Sequence, residues 1–538
     1  MLVSSSTALP SQPLNPGLRH TLSRCGLALA SGILLFLPFL DPSLFILTWI
    51  ALIPLLFALQ GAGLRQAYVL GMFSGTILWG GGAYWMIDFI QLFKSYPYPQ
   101  SALLAGFFWL YAGQSLGLVA LLWQWLGRGR LPPVLVVPLV FVVVFSLYPV
   151  VFNFRLAESQ SQFLLALQGT DLVGALGLDL VILAVNVLLF QLCCAARHRQ
   201  LDVPALGGLV LLLGLWFGYG LERLQAWEAI QDAASSRRIG LVQPNDPVSV
   251  AIPLPAPGYS RQSPREMEIS ARLVEAGADI LFWPEARFKG YFYQRSVREA
   301  YRQRIKALGV PLVFHDIERE GRGAARRYYN AAVALDDEGE LEGTYRKIKR
   351  MPFGEYLPAF LAMPLLQDYL GDFLREISPG TNHAAFSLAG MRVVPKICYE
   401  SNDPVLMADA IGADGRGKVL SVLSQDGWFG TSLQPYQHLY SSVLRAVENR
   451  VPLIHVINNG PSAVVLPSGR LLYQSPAFEA VEMVVDLPYD PERGGSFYSR
   501  HPSWLAWGSA LLLGMLILLR LLPQRKPAPA AEVPRRMA

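Results

Sequence analysis

Charge is scarce in this chain. Asp, Glu, Lys and Arg make up 16% of 538 residues, while 52% are hydrophobic. That balance excludes an ordinary soluble domain and points to a membrane protein. Cysteine is also sparse, and four residues do not make a disulfide framework. Cys25, Cys193 and Cys194 lie in or beside apolar runs, where a thiol is usually a small packed side chain. The seven histidines show no paired ligand spacing, so no metal and no cofactor are expected. No Gly-rich loop suits a phosphate: Gly80-Gly81-Gly82 sits inside an apolar run and suits close helix packing. The formal charge of +5 is small for this length. The basic residues sit in short loops and at the tail, which excludes a nucleic-acid surface and reads as a topology signal.

A spanning helix needs roughly 20 apolar residues. Candidate spans are about 24–40, 44–60, 67–90, 101–126, 133–152, 172–195, 204–222 and 503–522. The first two are short and closely joined, as in a hairpin. Eight spans put both termini on one side. Arg19, Arg24, Arg65, Arg128, Arg130, Arg197, Arg199, Arg525, Lys526, Arg535 and Arg536 share that side, against Lys94 and Arg155 opposite. The positive-inside rule then makes both termini cytoplasmic. The expected organisation is a transmembrane domain over 1–222 with seven helices, a polar domain over 223–502, an eighth helix over 503–522 and a tail over 523–538. The polar domain would face outward, into the periplasm of a Gram-negative cell.

The polar domain reads as α/β. Short apolar runs over 238–243, 279–283, 310–314, 331–335, 341–345, 393–398, 419–423, 454–457 and 463–466 are candidate strands, and 264–276 has a helical pattern. Several runs end at polar residues. Glu285 follows one and Cys398 closes another, as in layered α/β folds whose sites form at strand ends.

Cys398 is the one cysteine of this polar domain. It is either a core residue or a nucleophile. Trp283-Pro284-Glu285 and Tyr345-Arg346-Lys347 precede it. Acyl transfer through a thiol needs a base, an oxyanion donor and a site that excludes water. Glu285 can be the base, Lys347 the cationic donor and Cys398 the nucleophile, with the Tyr399 N–H as a second oxyanion contact. Fused to membrane sequence, this set suggests an acyl group taken from a lipid.

The strings WPEAR, YRKIKRMPFGEYLP and KICYES, in this order, resemble those of the nitrilase (carbon–nitrogen hydrolase) superfamily. DGWFG over 426–430, Gln437-His438 and NNGPSA over 458–463 extend the likeness. Nearly the full length resembles the apolipoprotein N-acyltransferase family, in which such a domain is inserted before the last of eight transmembrane helices. The resemblance implies a polytopic α-helical membrane domain plus an αββα sandwich. It places a Glu-Lys-Cys triad on Glu285, Lys347 and Cys398, with Glu355, Tyr399 and Glu400 in support. Glu355 would keep Lys347 charged or assist proton transfer, unless it is a solvated loop residue. Glu400 is either a structural ion-pair partner or an active group.

The implied reaction has two steps. Cys398 takes an acyl chain from a phospholipid as a thioester, and the α-amine of a diacylated apolipoprotein's N-terminal cysteine then takes it from the thioester. Ping-pong kinetics and a monomer in the bacterial inner membrane are expected. Apolar residues crowd into 356–375, among them Phe360, Leu361 and Tyr369. This segment is either a buried helix or an arm that dips into the membrane interface and guides acyl chains. Trp428 and Phe429 are site walls or core. The chain departs from the family pattern at Lys349, Gln425, His455 and Ile457, and Pro253 stands near an expected tryptophan. Three alternatives remain: an N-acyltransferase for another amine, a membrane-tethered amidase, and a scaffold without activity.

Overall fold

The computed structural model describes residues 16–127, 131–249, 252, 254–285, 288–356 and 376–522. All eight expected spans are helical, but not all are long. Among the described residues, six helical segments are long and apolar enough to cross a membrane: Thr21–Leu40, Pro42–Leu59, Tyr98–Gly127, Thr170–Arg197, Val203–Asp232 and Trp504–Leu521. The expected span over 67–90 is instead two helices, Leu64–Gly82 and Met86–Lys94. The one over 133–152 is the shorter helix Pro133–Leu147. The helix from Val203 runs past residue 222 to Asp232. Its polar end leaves the apolar stretch and docks through Gln231 on Ser468. Of the three consecutive glycines, Gly81 allows a close approach: a Cβ there would lie 2.4 Å from the Phe36 ring. A close helix crossing of backbone on backbone lies elsewhere, where Gly75 meets Gly113.

The remaining residues build two six-stranded sheets. In chain order the strands are β1 Ser235–Gln243, β2 Ile280–Phe282, β3 Leu312–Glu320, β4 Arg327–Leu335, β5 Leu341–Arg346, β6 Phe386–Leu388, β7 Met391–Ile397, β8 Lys418–Ser424, β9 Leu453–Ile457, β10 Ala463–Val465, β11 Leu471–Gln474 and β12 Val481–Tyr489. The first sheet has the order β12-β1-β2-β3-β4-β5, the second β11-β10-β9-β8-β7-β6. β1, β2 and β3 are parallel, as are β7, β8 and β9.

Alternation along the strands explains the layers. Val419 and Leu423 face the first sheet, joining Ile239, Phe282 and Val313 in the core between the sheets. Leu420 and Val422 face the other way, onto the helix Gln434–Asn449. Behind the first sheet, Leu312 and Phe314 meet Met267, Leu273, Val297 and Ile305 from the helices Arg265–Glu275 and Arg295–Leu308. The result is the expected αββα sandwich.

The helix Gln434–Asn449 also packs against the membrane helices. Its apolar side chains share one core with residues of the Thr21–Leu40 and Thr170–Arg197 helices. Its polar side chains complete the seam. Gln437 donates to the Phe39 and Gly82 carbonyls at 3.1 and 3.0 Å and accepts from Trp85 at 3.0 Å. Glu448 accepts from the Ala175 N–H at 2.7 Å. That N–H is available because the Thr170–Arg197 helix breaks at Gly174, whose φ of 65° favours glycine. Just past the helix, Arg450 pairs with Asp171 at 2.9 Å and donates to the Gln168 carbonyl at 2.9 Å.

Candidate active site

Glu285, Lys347 and Cys398 converge at the C-terminal ends of strands from both sheets. Glu285 lies just past β2, Lys347 follows β5 and Cys398 follows β7. Each of the three acts electrostatically on the other two. Cys398 has a φ of 52° and opens a short 3-10 turn, Cys398–Asn402. A left-handed φ is uncommon for a residue with a Cβ, and such strain gathers at functional sites. The turn lifts the thiol off the strand. Cys398 keeps some exposed surface and packs against both the intersheet core and the core shared with the membrane helices.

Two carboxylates flank Lys347. Glu355 Oε2 is 2.9 Å from Lys347 Nζ and accepts from the Met351 N–H at 2.7 Å. Glu355 Oε1 accepts from the Asn330 amide at 2.8 Å, and the same nitrogen donates to Glu285 Oε1 at 2.7 Å. Glu285 Oε2 is buried and lacks a hydrogen-bond partner among the described residues. Sequence reasoning missed Asn330. Its only signal is a polar side chain in an otherwise apolar run of β4, Asn330 to Leu335.

The electrostatics favour a resting thiol. Burial pushes the Cys398 thiol well up and Glu285 adds to this, while Lys347 opposes it. Burial raises the Glu285 carboxyl too; Lys347 lowers it and Glu355 raises it. For Lys347, burial disfavours the charge, but Glu355, Cys398 and Glu285 outweigh it and hold the ammonium well above its ordinary range. The arrangement is a protonated thiol, a carboxyl group with one oxygen unbonded among the described residues and a lysine held charged.

The other expected site residues make mostly structural contacts. Glu400 is fully buried. It accepts from the Tyr345 hydroxyl at 2.7 Å and from the N–H groups of Ile348, Lys349 and Ile397 at 2.8, 3.0 and 2.9 Å. It therefore ties the lysine loop to the cysteine strand by hydrogen bonds. Tyr399 turns toward the membrane helices and donates to the Val151 carbonyl. Phe429 stacks on Phe89, with ring centres 5.2 Å apart, and meets Trp85 and Phe152 edge-on. Trp428 contacts Phe93. Both aromatics thus sit on the seam with the membrane helices. Phe360, Leu361 and Tyr369, with the rest of 357–375, lie outside the described residues, as does Pro253.

The departures are absorbed locally. Lys349 pairs with Asp403 at 2.7 Å. Gln425 accepts from Asn458. His455 is buried against Ser442, and Ile457 is in the core. Among the described residues, one group could offer three ligands to a metal: Asp426, His438 and His455. Asp426 and His438 already bond each other at 2.9 Å, and the other His438 nitrogen meets Ser401 at 2.6 Å.

Comparison with known proteins agrees with this architecture. The carbon-nitrogen hydrolase family model matches residues 250–489, and the model for the apolipoprotein N-acyltransferase N-terminal domain matches 31–188. A protein of Geobacter metallireducens named apolipoprotein N-acyltransferase is 29% identical over 93% of this chain and 95% of its own. One of that name from Azotobacter vinelandii is 31% identical over 95% of this chain and 98% of its own. An amidase of the nitrilase superfamily from Nesterenkonia AN1 aligns with 47% of this chain and 92% of its own, at 23% identity and a TM-score of 0.35. With both halves matched by family models and relatives aligned almost end to end, the chain belongs to the apolipoprotein N-acyltransferase family.

Proposed function

We propose that this chain moves an acyl chain from a phospholipid to the N-terminal α-amine of a diacylated apolipoprotein, through a thioester on Cys398. The observation that carries the reading is the position of Cys398. It stands on a left-handed turn beside Lys347 and Glu285, on the seam between the α/β domain and the membrane helices.

Glu285 Oε2 takes the thiol proton as Cys398 Sγ attacks the ester carbonyl carbon. A free thiolate is costly in this buried setting, so proton removal accompanies attack. The Lys347 ammonium donates to the oxyanion, and Glu355 keeps it charged. The ester C–O bond breaks, Glu285 returns the proton to the departing lysophospholipid oxygen, and the thioester remains. The acceptor amine then attacks the thioester carbonyl. Glu285 takes a proton from the amine, the C–S bond breaks and the proton returns to sulfur. The products are an amide and the resting thiol.

The chain is a bacterial inner-membrane enzyme. The basic residues of the short loops support cytoplasmic termini and a periplasmic domain over 223–502, between seven preceding helices in 1–222 and the last helix, 503–522, with its tail over 523–538. Site and membrane portion belong to one chain, which suits a monomer.

Mass spectrometry of the full chain in phospholipid tests the reading. Wild type is expected to carry an acyl adduct on Cys398 that moves to a diacylated lipopeptide amine, and Cys398→Ala to carry none. An adduct lost to water alone, or no adduct, overturns it.

A further inference from the structure

Behind the cysteine turn lies a buried polar network that the proposed chemistry does not use. Asp426 follows β8, and His438 comes from the helix Gln434–Asn449. His438 Nδ1 lies 2.9 Å from Asp426 Oδ2, and its Nε2 lies 2.6 Å from Ser401 Oγ. Ser401 belongs to the cysteine turn and donates to the Cys398 carbonyl at 3.2 Å; His438 also hydrogen-bonds that backbone. On the other flank, Ser424 Oγ donates to Asp426 Oδ1 at 2.6 Å and hydrogen-bonds the Cys398 side chain. Asp426, His438, Ser401 and Ser424 are all buried. The order Ser401, His438, Asp426 is that of a hydrolytic triad. Here the serine is fully buried and turned to the backbone of another nucleophile.

We propose that His438 and Ser424, joined through Asp426, are positioning residues that hold the Cys398 turn and stabilise its thiolate as it forms. This rests on Cys398 being the nucleophile. The proton count explains the arrangement. Ser424 has one hydroxyl hydrogen. While Cys398 is a thiol, that hydrogen can stay on Asp426 and the S–H can point to Ser424 Oγ. As Glu285 takes the thiol proton during attack, the hydroxyl turns its hydrogen to the sulfur on which charge develops. Asp426 then loses one donor and keeps the other, His438 Nδ1–H. The histidine's hydrogen bond to Asp426 is what frees the serine.

The surroundings suit a charged imidazole. Burial disfavours the cation, but Asp426 outweighs it and holds His438 above its ordinary range, with Glu285 adding to the effect. Among the described residues, the other titratable groups facing His438 are Cys398 and His455, whose ring centre is 4.9 Å away. Glu158 and Tyr440 share with it a small cavity of about 70 Å³. His455 is held well below its ordinary range by burial and stays neutral, so it does not compete for Asp426.

Cys398 alkylation by iodoacetamide, read by peptide mass spectrometry against pH, tests this on the full chain in detergent after hydroxylamine clears any thioester. In His438→Gln and Ser424→Ala, alkylation at neutral pH is expected to slow roughly tenfold, the equivalent of about one pKa unit, while each variant still unfolds in one cooperative transition. A wild-type profile in either folded variant overturns the proposal. If His438→Gln does not fold, Ser424→Ala, which deletes one hydroxyl, decides alone. Absence of an acyl adduct in wild type would instead overturn the acyl-transfer reading and leave the alkylation result standing.

Discussion

Asn330 holds Glu285 by donating to Oε1 at 2.7 Å, which leaves Oε2 as the oxygen free to take a proton. The amide is itself oriented by His315, whose Nε2 lies 2.6 Å from Asn330 Oδ1. With Oδ1 accepting from histidine, the amide nitrogen must face both carboxylates.

Replacing Asn330 by Ala leaves Glu285 and Glu355 without their shared donor. The base loses its aim, and positioned bases contribute about 10²–10⁴-fold to rate. Acyl-adduct formation in a single turnover is expected to fall by at least about 10²-fold. A fall under about threefold would show that Glu285 orients itself.

His315 makes stability depend on pH. Burial lowers it from an ordinary 6.5 to about 4. Above its ordinary value the imidazole is neutral in both folded and unfolded chains, and the folded state bears no penalty. As pH falls from about 6.5 towards 4, the unfolded chain takes a proton that the folded one refuses, so stability drops until the folded histidine also charges. The loss from this group is on the order of 3 kcal/mol. Thermal unfolding of wild type and His315→Gln across that range reads it: the variant is expected to lose less on acidification.

Phe429→Ala should loosen the seam without touching the triad. The ring packs on Phe89, Trp85 and Phe152. Truncating a buried phenylalanine costs about 3–5 kcal/mol. A lower thermal midpoint is expected, together with easier proteolysis between the α/β domain and the membrane helices. An unchanged midpoint would mean that the polar contacts of the helix Gln434–Asn449 suffice.

Arg450→Met removes a buried cation from the same seam. Arg450 meets Asp171, Gln168 and the Pro467 carbonyl. Breaking a buried pair costs about 3–5 kcal/mol, because the remaining charge stays uncompensated. Asp171 keeps Arg223 and Tyr219 as partners, so the lower half of that range is expected. Chemical denaturation in detergent micelles measures it.

Much of the fold was legible. The strand over 238–243, the helix over 264–276 and the strands over 331–335 and 341–345 lie within a residue or a few of their observed positions. β12 was missed. Its residues read weakly alone, and pairing with β1 across the domain makes the strand. The helix Gln434–Asn449 was also missed, because Gln437, His438, Arg445 and Glu448 look like a solvated face. His438, Arg445 and Glu448 are buried and Gln437 is half-buried, through packing with elements far away in the chain, which no local pattern records. Trp428 and Phe429 were read as walls or core, and the choice turned on where Phe89 and Phe93 lie.

The sequence by itself determined the membrane class and the α/β domain before the last helix, and it singled out Glu285, Lys347 and Cys398, which the fold brings together. Hydropathy, alternation and short motifs are local properties, carried by neighbours along the chain. Tertiary structure alone decided the rest. It joined Asn330 to two carboxylates from different loops, turned Glu400 into a hub of backbone contacts, and set Asp426 and His438 behind the cysteine turn. Such contacts form between strand ends and helices far apart in the chain, where direction and distance matter and residue type does not specify them.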